Sequence, residues 1–521
     1  MSYNPFNTIQ VEVQNTNHHD LSFDNKLTLD MGKLYPCLVQ DTLPGDTFFI
    51  TPEMYMKMAP MVFTIMHRID ATIHFFYVPN RILWENFPQF LAGEDYHPQY
   101  IQGTNDEPLR VDAGSLFDYL GLPISNNIKE KIDAFPLMAY FRIVNEYYMD
   151  QNNDTGYTFQ RDLLKGLTKE NGRISPTQLS APDYHDIPIF KRAYSHDYFN
   201  SCLPYAQKGD AVNIPLELGN FTGDVVVDGA EWTPGSGGGV ATGDLSANSG
   251  YIETPGPKNV LLKGYATIDG GDATIQGTIN QLRAAMALQK FLELNARSGT
   301  RYNELILAHF GTNIGDGRIN RPEYIGGIKN NIVISEVLQT SSTTEDSALG
   351  DYAGHGTAMV SGNTINFSCP EHGYILGILS IVPKTGYFQG IPRKFSRMNY
   401  LDYYWKEFAN IGEQAVLNKE LYYDNSLSDN NDEFGYIPRY SEYKYNPSEV
   451  HGDFRTTMLD WHLCRKFETR PALTQEFVYV YNDKRIFAVT EPNVNSFYAH
   501  IYFDIQAKRK VPFITDPEGI S

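Results

Sequence analysis

The stretch that decides the fold is Arg68-Ile-Asp-Ala-Thr-Ile-His-Phe-Phe-Tyr-Val78, and Pro79-Asn80 stops it. Its residues alternate roughly between apolar and polar and are rich in β-branched and aromatic side chains, which is typical of a strand. A second strand is predicted at Thr47 to Thr51, directly after the turn signal Leu43-Pro-Gly-Asp46. The early part of the chain is therefore predicted to be built on strands.

Strands are also predicted far down the chain, separated by long excursions. They cover Asn331 to Val337, Thr364 to Phe367, Gly373 to Val382, Glu476 to Val480 and His500 to Ile505. This spacing fits neither a βαβ rhythm nor an even meander. It predicts a mainly-β fold, a two-sheet β-sandwich or jelly roll with long insertions between its strands.

Short helices are predicted within the insertions. One covers Ile82 to Leu91, and a second covers Ala134 to Met149. A third runs from Ile279 to Arg297, where Thr278 and Gln281 have the spacing of a capping box and Gly299 stands at the C-terminal cap position. Its apolar stripe is predicted to pack in a core; the stripe comprises Leu282, Ala285, Met286, Leu292 and Ala296.

Composition indicates a globular chain with an acidic surface. Hydrophobic residues make up 42% of the 521 residues and charged residues 20%, which is enough apolar material for a sizeable core. The formal net charge is −20, so the chain as a whole repels phosphates. A nucleic-acid container made of this chain would therefore need cations, polyamines or a separate basic protein to offset the charge of the nucleic acid.

The four cysteines, Cys37, Cys202, Cys369 and Cys464, are far apart and are predicted to be buried free thiols. The N-terminal residues show no secretory signal pattern, and no apolar run has the length of a membrane span. These features predict a protein made in a reducing cytoplasm.

Residues 216–277 differ in texture from the rest of the chain, because they are rich in Gly, Asp, Thr and Ser. A stretch of this kind is either a flexible surface loop or an exposed functional insertion. We predict an insertion that protrudes from a rigid scaffold. The candidate surface residues of this protrusion are Trp232, Gly237, Gly238, Gly239 and Asp244.

No motif for catalysis, for a cofactor or for a metal ion is convincing. The chain lacks GxxxxGK[ST], GxSxG, HExxH and a GxGxxG that opens a helix. His18-His19-Asp20 lacks a third ligand, and Asp424 to Asp432 departs from the EF-hand spacing. We therefore predict a protein that is not an enzyme, without catalytic, cofactor-binding or metal-binding residues, and we interpret Asp424 to Asp432 as an acidic surface loop.

Two basic clusters stand out against the acidic background. One contains Arg393, Lys394 and Arg397 with Tyr400 beside them, and the other is Lys508-Arg509-Lys510. Cations mixed with aromatic rings are typical of single-stranded nucleic-acid binding. The alternative is ordinary ion pairing within this acid-rich chain or with neighbouring subunits. All seven residues are kept as candidates that face DNA.

Several sequence blocks occur in one order over nearly the whole chain. They include Leu43–Asp46, Phe75–Arg81, Gly114–Pro123, Asn145–Asn152, His196–Pro204, Ala296–Tyr302, Arg321–Gly327 and His451–Arg455. As an ordered set, they resemble the major capsid proteins of the Microviridae, in particular the gokushovirus-like branch. In that family, a variable insertion lies where residues 216–277 stand here.

The resemblance implies an eight-stranded viral jelly roll over residues 1–521, with residues 216–277 as a variable insertion that forms surface protrusions at threefold axes. It implies about sixty copies in a T=1 icosahedral shell around circular single-stranded DNA. The partners it implies are a small basic DNA-binding virion protein, a pilot or minor virion protein, the packaged DNA and a host-cell receptor. The location it implies is the virion, assembled in the cytoplasm of a bacterial host.

Two functions from other classes remain as alternatives. A carbohydrate-binding or hydrolytic β-sandwich protein would share the tyrosine-rich strands, although no pair of carboxylates is marked by spacing. A spike or tail-fibre component would be expected to show repeats, and none is visible.

Overall fold

The computed structural model describes residues 16–93, 100–101, 109–152, 173–174, 189–209, 212, 225–227, 246–248, 251–253, 266–268, 279–298, 301–313, 315–338 and 352–512. The chain divides into two compact units. The first comprises residues 1–208 and 293–521, and the second comprises residues 209–292.

The strands of the described residues are, in chain order, β1 Asn17–Asp20, β2 Phe23–Leu29, β3 Tyr35–Thr42, β4 Thr47–Met58, β5 Ile69–Pro79, β6 Tyr100–Ile101, β7 Leu109–Val111, β8 Ser125–Ile128, β9 Ile132–Asp133, β10 Arg173–Ile174, β11 Val225–Val227, β12 Ser246–Asn248, β13 Tyr251–Glu253, β14 Ala266–Ile268, β15 Glu323–Asn331, β16 Val333–Leu338, β17 Tyr352–Ser361, β18 Ile365–Ser368, β19 Gly373–Pro383, β20 Glu413–Leu417, β21 Glu433–Pro438 and β22 Phe497–Arg509. The α-helices are α1 Asn80–Leu83, α2 Phe87–Leu91, α3 Leu116–Tyr119, α4 Phe135–Ile143, α5 Ile279–Ser298, α6 Tyr302–Phe310, α7 Asn418–Leu421 and α8 Gln475–Val478.

Two antiparallel sheets form the body of the first unit. Sheet A has the order β1-β22-β4-β17-β16, with β2 also paired to β22 and β18 also paired to β4. Sheet B has the order β15-β5-β19-β3. The longest ladders join β22 to β4, from Phe497–Met58 to Lys508–Thr47, and β19 to β5, from Gly373–Pro79 to Pro383–Ile69. The sequence thus forms the two-sheet β-sandwich that its strand spacing predicts.

The main core lies between the inner faces of the two sheets. Along β4 and β22 the side chains alternate between buried and exposed or half-buried, so one face of sheet A packs inward and the other faces outward. Phe503 of β22 packs edge to face with Phe75 of β5, with ring centroids 6.2 Å apart, and both residues are fully buried. Their contact joins sheet A to sheet B across the core.

Sheet B is covered on its outer face as well, because β5 and β19 are buried along nearly their whole length. Phe76 and Val78 of β5 point to a second core, which includes Leu137, Tyr140 and Phe141 of α4. Tyr140 donates a hydrogen bond from its hydroxyl to the carbonyl oxygen of Leu34 at 2.8 Å. A helical layer therefore lies over sheet B, whereas the outer face of sheet A carries no such layer among the described residues.

A third, smaller core stabilises the long excursion between β19 and β22. Tyr198, Phe199, Tyr387 and Phe434 are among its members. At its edge, the buried carboxylate of Asp197 accepts hydrogen bonds from the hydroxyl groups of Thr385 and Tyr387, at 2.6 and 2.9 Å. This polar anchor ties the stretch before β20 to residues almost two hundred positions earlier.

The order of the strands in the two sheets shows how the chain passes from one sheet to the other. Along the chain, β2, β3, β4 and β5 alternate between the two sheets, and β15, β17, β19 and β22 alternate again. In sheet A, β22 lies between β2 and β4, and in sheet B β19 lies between β3 and β5. We interpret these interleaved Greek keys as the jelly roll that the resemblance implies.

Most predicted elements are found, although several boundaries differ. The strand predicted at Arg68–Val78 is β5, and the turn before β4 has Gly45 at φ 90, where only glycine is unstrained. The helix predicted at residues 82–91 is split into α1 and α2, and the one at residues 134–149 is α4 followed by a π-helical turn, Val144–Tyr148. The stretch 331–337 falls on the end of β15 and on β16.

Two predictions are wrong. The segment Glu476–Val480, predicted as a strand, contains the single turn α8, in which Phe477 packs into the third core and Val478 is also buried. Helix α5 is present at Ile279–Ser298, but its apolar stripe is a core face only at Ala296, which is buried, because Leu282 and Met286 are exposed. Thr278 and Gly299, the predicted caps, lie outside the described residues.

In the second unit, the structure describes two short antiparallel strand pairs, β11 with β14 and β12 with β13, together with the first part of α5. The protrusion candidates Trp232, Gly237, Gly238, Gly239 and Asp244 lie outside the described residues.

Candidate nucleic-acid and subunit-contact surfaces

Arg393, the first of the DNA-facing candidates, is bound into the fold. It starts a short 3-10 turn after Pro392, and its guanidinium donates to the carbonyl oxygen of Ala415 at 2.8 Å. It also forms an ion pair with Glu420 at 3.2 Å, and Glu442 lies 3.9 Å away. The Glu420 side chain is only 3% exposed, so the cation compensates a buried carboxylate.

A hydrogen-bond network extends this ion pair into the third core. Tyr198 donates its hydroxyl hydrogen to Glu420 at 2.9 Å, and Gln414 donates to Glu442 at 2.7 Å. Burial raises the pKa of the Glu420 carboxyl, although Arg393 opposes the rise. The sequence carries no signal for this network, because Tyr198, Arg393 and Glu420 come from separate segments.

The two neighbouring cations also contact groups of the same chain. Lys394 pairs with Glu449 at 3.1 Å. The guanidinium of Arg397 lies 4.4 Å from the ring centroid of Tyr443 and 5.6 Å from that of Tyr403. The cluster therefore combines aromatic rings with cations that already have partners in the same chain.

Around Arg397, a group of large apolar side chains points outward. We define the aromatic platform as six residues that are each at least 45% exposed, namely Met398, Tyr400, Tyr403, Tyr404, Trp405 and Tyr443. Met398 is the most exposed at 87%, and Tyr400 is exposed by 69%. Exposed aromatic groups of this density are unusual on a surface that faces only water.

The platform rests on Tyr440, which is buried beneath it. Tyr440 has φ 62, a left-handed conformation that a bulky side chain rarely adopts. Its hydroxyl accepts a hydrogen bond from the backbone N–H of Trp405 at 3.2 Å, and its ring packs against Tyr404 with centroids 4.9 Å apart. Its own N–H donates to Gln414 at 3.0 Å, which links the platform to the Glu442 network.

The second basic cluster lies at the end of β22. Arg509 is structural, because it pairs with the buried Asp46 at 2.8 Å, and Asp46 also accepts from the backbone N–H of Leu43. Lys508 lies 5.3 Å from the ring centroid of Phe49. Neither Lys508 nor Lys510 is found in an ion pair within the part of the chain that the structure describes.

Lys508 belongs to the uncovered outer face of sheet A, which is polar and aromatic. Tyr498, His500 and Tyr502 of β22 alternate along this face, and His500 stands opposite Tyr55 of β4. Next to them is an open pocket of about 760 Å³, which is also lined by Lys26, Lys57, Asp24 and Tyr119. The Nε2 atom of His500 lies 2.7 Å from the Oδ1 atom of Asp24. This face could stack planar groups, and it carries lysines at its centre and at one end.

The two motifs considered as metal sites, Asp424–Asp432 and His18-His19-Asp20, form contacts with residues of the same chain. Asp424 accepts hydrogen bonds from the backbone N–H and hydroxyl of Ser426, and Asp429 pairs with Arg470. His18, His19 and Asp20 form β1 on β22. Among the described residues, no three His, Cys, Asp or Glu side chains are placed to hold a metal ion.

All four cysteines are buried and free, as predicted. Burial raises the pKa of the Cys464 thiol to about 11 and that of Cys369 to about 12. In the described parts of the chain, none of the helices has the length and apolar character needed to cross a membrane.

An uncovered sheet face and an exposed group of aromatic side chains are features of a protein that contacts other macromolecules. The chain belongs to the family described as capsid protein (F protein), whose model matches residues 7–518. It is 34% identical to capsid protein VP1 of Bdellovibrio phage phiMH2K, with 95% of this chain and 93% of the relative covered.

Two further relatives are also similar over nearly the whole of their length. Capsid protein VP1 of Chlamydia phage 1 is 31% identical, with 99% of this chain and 97% of the relative covered. Capsid protein VP1 of Spiroplasma virus 4 is 26% identical, with 94% and 92% covered. All three are from Microviridae, so the resemblance inferred from the ordered blocks is confirmed. The protein is a structural virion protein and not an enzyme, and a capsid protein assembles with copies of itself into a shell.

Proposed function

We propose that this capsid protein forms a T=1 icosahedral shell of about sixty copies that encloses circular single-stranded DNA. The observation that carries the proposal is the similarity to capsid proteins of small phages over almost the full length of this chain and of its relatives. The β-sandwich, packed around the core between its two sheets, is suited to form the wall of a shell, and the excursions supply surface for contacts between subunits.

Sizing and electron microscopy test the shell. Particles recovered from producing cells should be round and uniform and contain about 3.5 MDa of protein, since the chain has a mass of 59.1 kDa. Their nucleic acid should be degraded by a nuclease specific for single strands once the particles are opened. A stable monomer, or a particle that holds duplex DNA, would contradict the proposal.

Contact with the DNA is proposed to be weak and independent of base sequence. Lys508 and Lys510 suit it better than Arg393 and Lys394, whose charges are compensated by Glu420, Glu442 and Glu449. Tyr498 and Tyr502 on the same sheet face offer rings on which bases can stack. The net charge of −20 requires a further source of positive charge, which we propose to be a small basic virion protein.

The DNA contact is tested by replacing Lys508 and Lys510 together with glutamine. Binding of a single-stranded oligonucleotide should weaken, and the dependence of log K on log[salt] should become shallower by about 0.7 for each phosphate that a lysine no longer neutralises. The matched control is Lys508→Arg with Lys510→Arg, which keeps the charge. An unchanged salt dependence in the glutamine variant would exclude these lysines as phosphate ligands.

Residues 216–277 are proposed to protrude from the shell and to contribute to attachment to the host. Pilot-protein binding is likewise proposed only from the family resemblance. Deleting residues 234–250 should leave particle yield unchanged and reduce adsorption to host cells. Loss of assembly, with normal adsorption of the particles that remain, would contradict the attachment role.

A further inference from the structure

We propose that the aromatic platform is a contact surface between copies of this chain in the assembled shell. The proposal rests on the shell-forming role and goes beyond it by naming a surface. The platform, with Met398 at its most exposed point, belongs to the long excursion between β19 and β22 rather than to the sandwich itself. Such an excursion can reach a neighbour without any change in the two sheets.

The platform is held rigid before any partner arrives. The carboxylate of Asp402 accepts hydrogen bonds from the backbone N–H groups of Met398 and Asn399, at 2.9 and 2.8 Å. The indole N–H of Trp405 donates to the carbonyl oxygen of Tyr400 at 2.8 Å. Because these bonds fix the backbone at Met398 and Asn399 and the ring of Trp405, less conformational entropy remains to be lost when a partner binds.

The backbone beneath the platform is strained to hold this arrangement. Tyr440 keeps a left-handed conformation although it is neither glycine nor asparagine. Its hydroxyl and ring contact the platform residues Trp405 and Tyr404. Backbone strain of this kind, held directly beneath an exposed surface, is often found at binding sites.

The chemistry of the platform favours a second copy of the chain over nucleic acid. Tyr, Trp, Met and Arg are the residues enriched at the centres of protein interfaces. Arg393 and Lys394 at its edge are paired with Glu420 and Glu449, and Arg397 lies against the rings of Tyr443 and Tyr403. These three cations therefore already contact groups of their own chain. Two subunits that each carry −20 repel one another, and they meet with least repulsion where the surface is apolar and its charges are compensated.

Thiol protection tests the contact directly. A cysteine introduced by Met398→Cys would be the reactive thiol of the folded chain, because the four native cysteines are buried. In particles, its rate of reaction with a maleimide should fall about tenfold or more below the rate in the unassembled subunit. Tyr481→Cys, at a position that is 71% exposed and outside the platform, gives the reactivity of an exposed thiol in the same unassembled subunit. Equal rates for Met398→Cys in particle and subunit would overturn the proposal.

Particles without DNA distinguish the two possible partners of the platform, which are a second copy of the chain and nucleic acid. If Met398→Cys is protected in full particles but reactive in empty ones, nucleic acid and not a second copy covers the platform, and the proposal is wrong. Protection in both kinds of particle supports it. If the unmodified chain forms no particles at all, the proposed shell itself fails, which is a different result from particles with a reactive platform.

Assembly yield gives a second measurement. Tyr400→Ser should lower the yield of particles by about tenfold or more, the effect of removing one hot-spot residue from each interface. Tyr481→Ser removes a tyrosine of similar exposure, 71% against 69%, and should leave the yield unchanged. Circular dichroism shows whether both subunits are folded. A normal yield from folded Tyr400→Ser, or an equal loss in both variants, would contradict a contact at the platform.

Discussion

Replacing Arg393 with methionine tests whether this cation is part of the fold or free to bind a ligand. Methionine keeps a flexible apolar stem but leaves Glu420, whose side chain is 3% exposed, without its ion-pair partner. Removing one member of a buried pair costs about 3–5 kcal/mol. Because the Arg393 side chain is itself 29% exposed, we expect a loss of about 3 kcal/mol in the free energy of unfolding.

The loss should depend on pH in a definite direction. Burial raises the pKa of Glu420, and removal of the guanidinium raises it further. A carboxyl whose pKa is higher in the folded state than in the unfolded state adds stability below the unfolded pKa. That contribution is lost as the pH rises through the folded pKa. The variant should therefore be most destabilised at alkaline pH and least destabilised in mildly acidic buffer.

Urea denaturation followed by tryptophan fluorescence, at several pH values, measures both effects. Adding Glu420→Gln to the methionine variant removes the buried charge and should recover a large part of the loss and flatten its pH dependence. A methionine variant with unchanged stability but weaker oligonucleotide binding would refute the reasoning and return Arg393 to the surface that faces DNA.

Three further outcomes are expected from the structure. Phe503→Ala empties the centre of the core between the sheets and should lower the free energy of unfolding by about 3–5 kcal/mol, whereas Tyr498→Ala on the outer face of the same strand should change it by about 0.5 kcal/mol or less. Gly390→Ala should cost about 3 kcal/mol, because a Cβ atom there would collide with the backbone of Glu420, whereas Gly315→Ala enters open space and should be nearly neutral; equal midpoints in urea would contradict this. A thiol reagent at neutral pH should react slowly with the folded chain, since burial raises the pKa of Cys464 to about 11, and rapid labelling before unfolding would contradict the buried placement.

The β-sandwich could be predicted from the sequence because its strands and turns have characteristic local residue patterns. In β5, β-branched and aromatic residues follow one another until Pro79, and the turn before β4 places Pro44 and Gly45 where a type II turn needs them. The single turn α8 could not be predicted from the sequence, because adjacent buried residues such as Phe477 and Val478 occur in a short helix as well as in a strand. In so short a segment, contacts with distant residues decide the conformation.

The candidate surfaces were harder to predict than the fold. The sequence shows that Arg393 and Arg509 are cations in an acidic chain. It does not show that Glu420 and Asp46 form ion pairs with them in the fold. The apolar stripe on α5 shows a different limit of the sequence. Its periodicity predicts a face that packs, but it does not identify the surface that the face packs against. Leu282 and Met286 are exposed in the single chain, and a subunit that functions in a shell can place such a face against its neighbour.

The bare outer face of sheet A has a consequence for how this protein can change over generations. Tyr498, His500 and Tyr502 can each be replaced without a change in core packing. The side chains that face the core from this strand belong to the residues between them. Seven of the eleven residues of β5, by contrast, belong to one of two hydrophobic cores. The fold therefore constrains β5 by packing, whereas on the outer face of sheet A only binding limits which side chains can stand there.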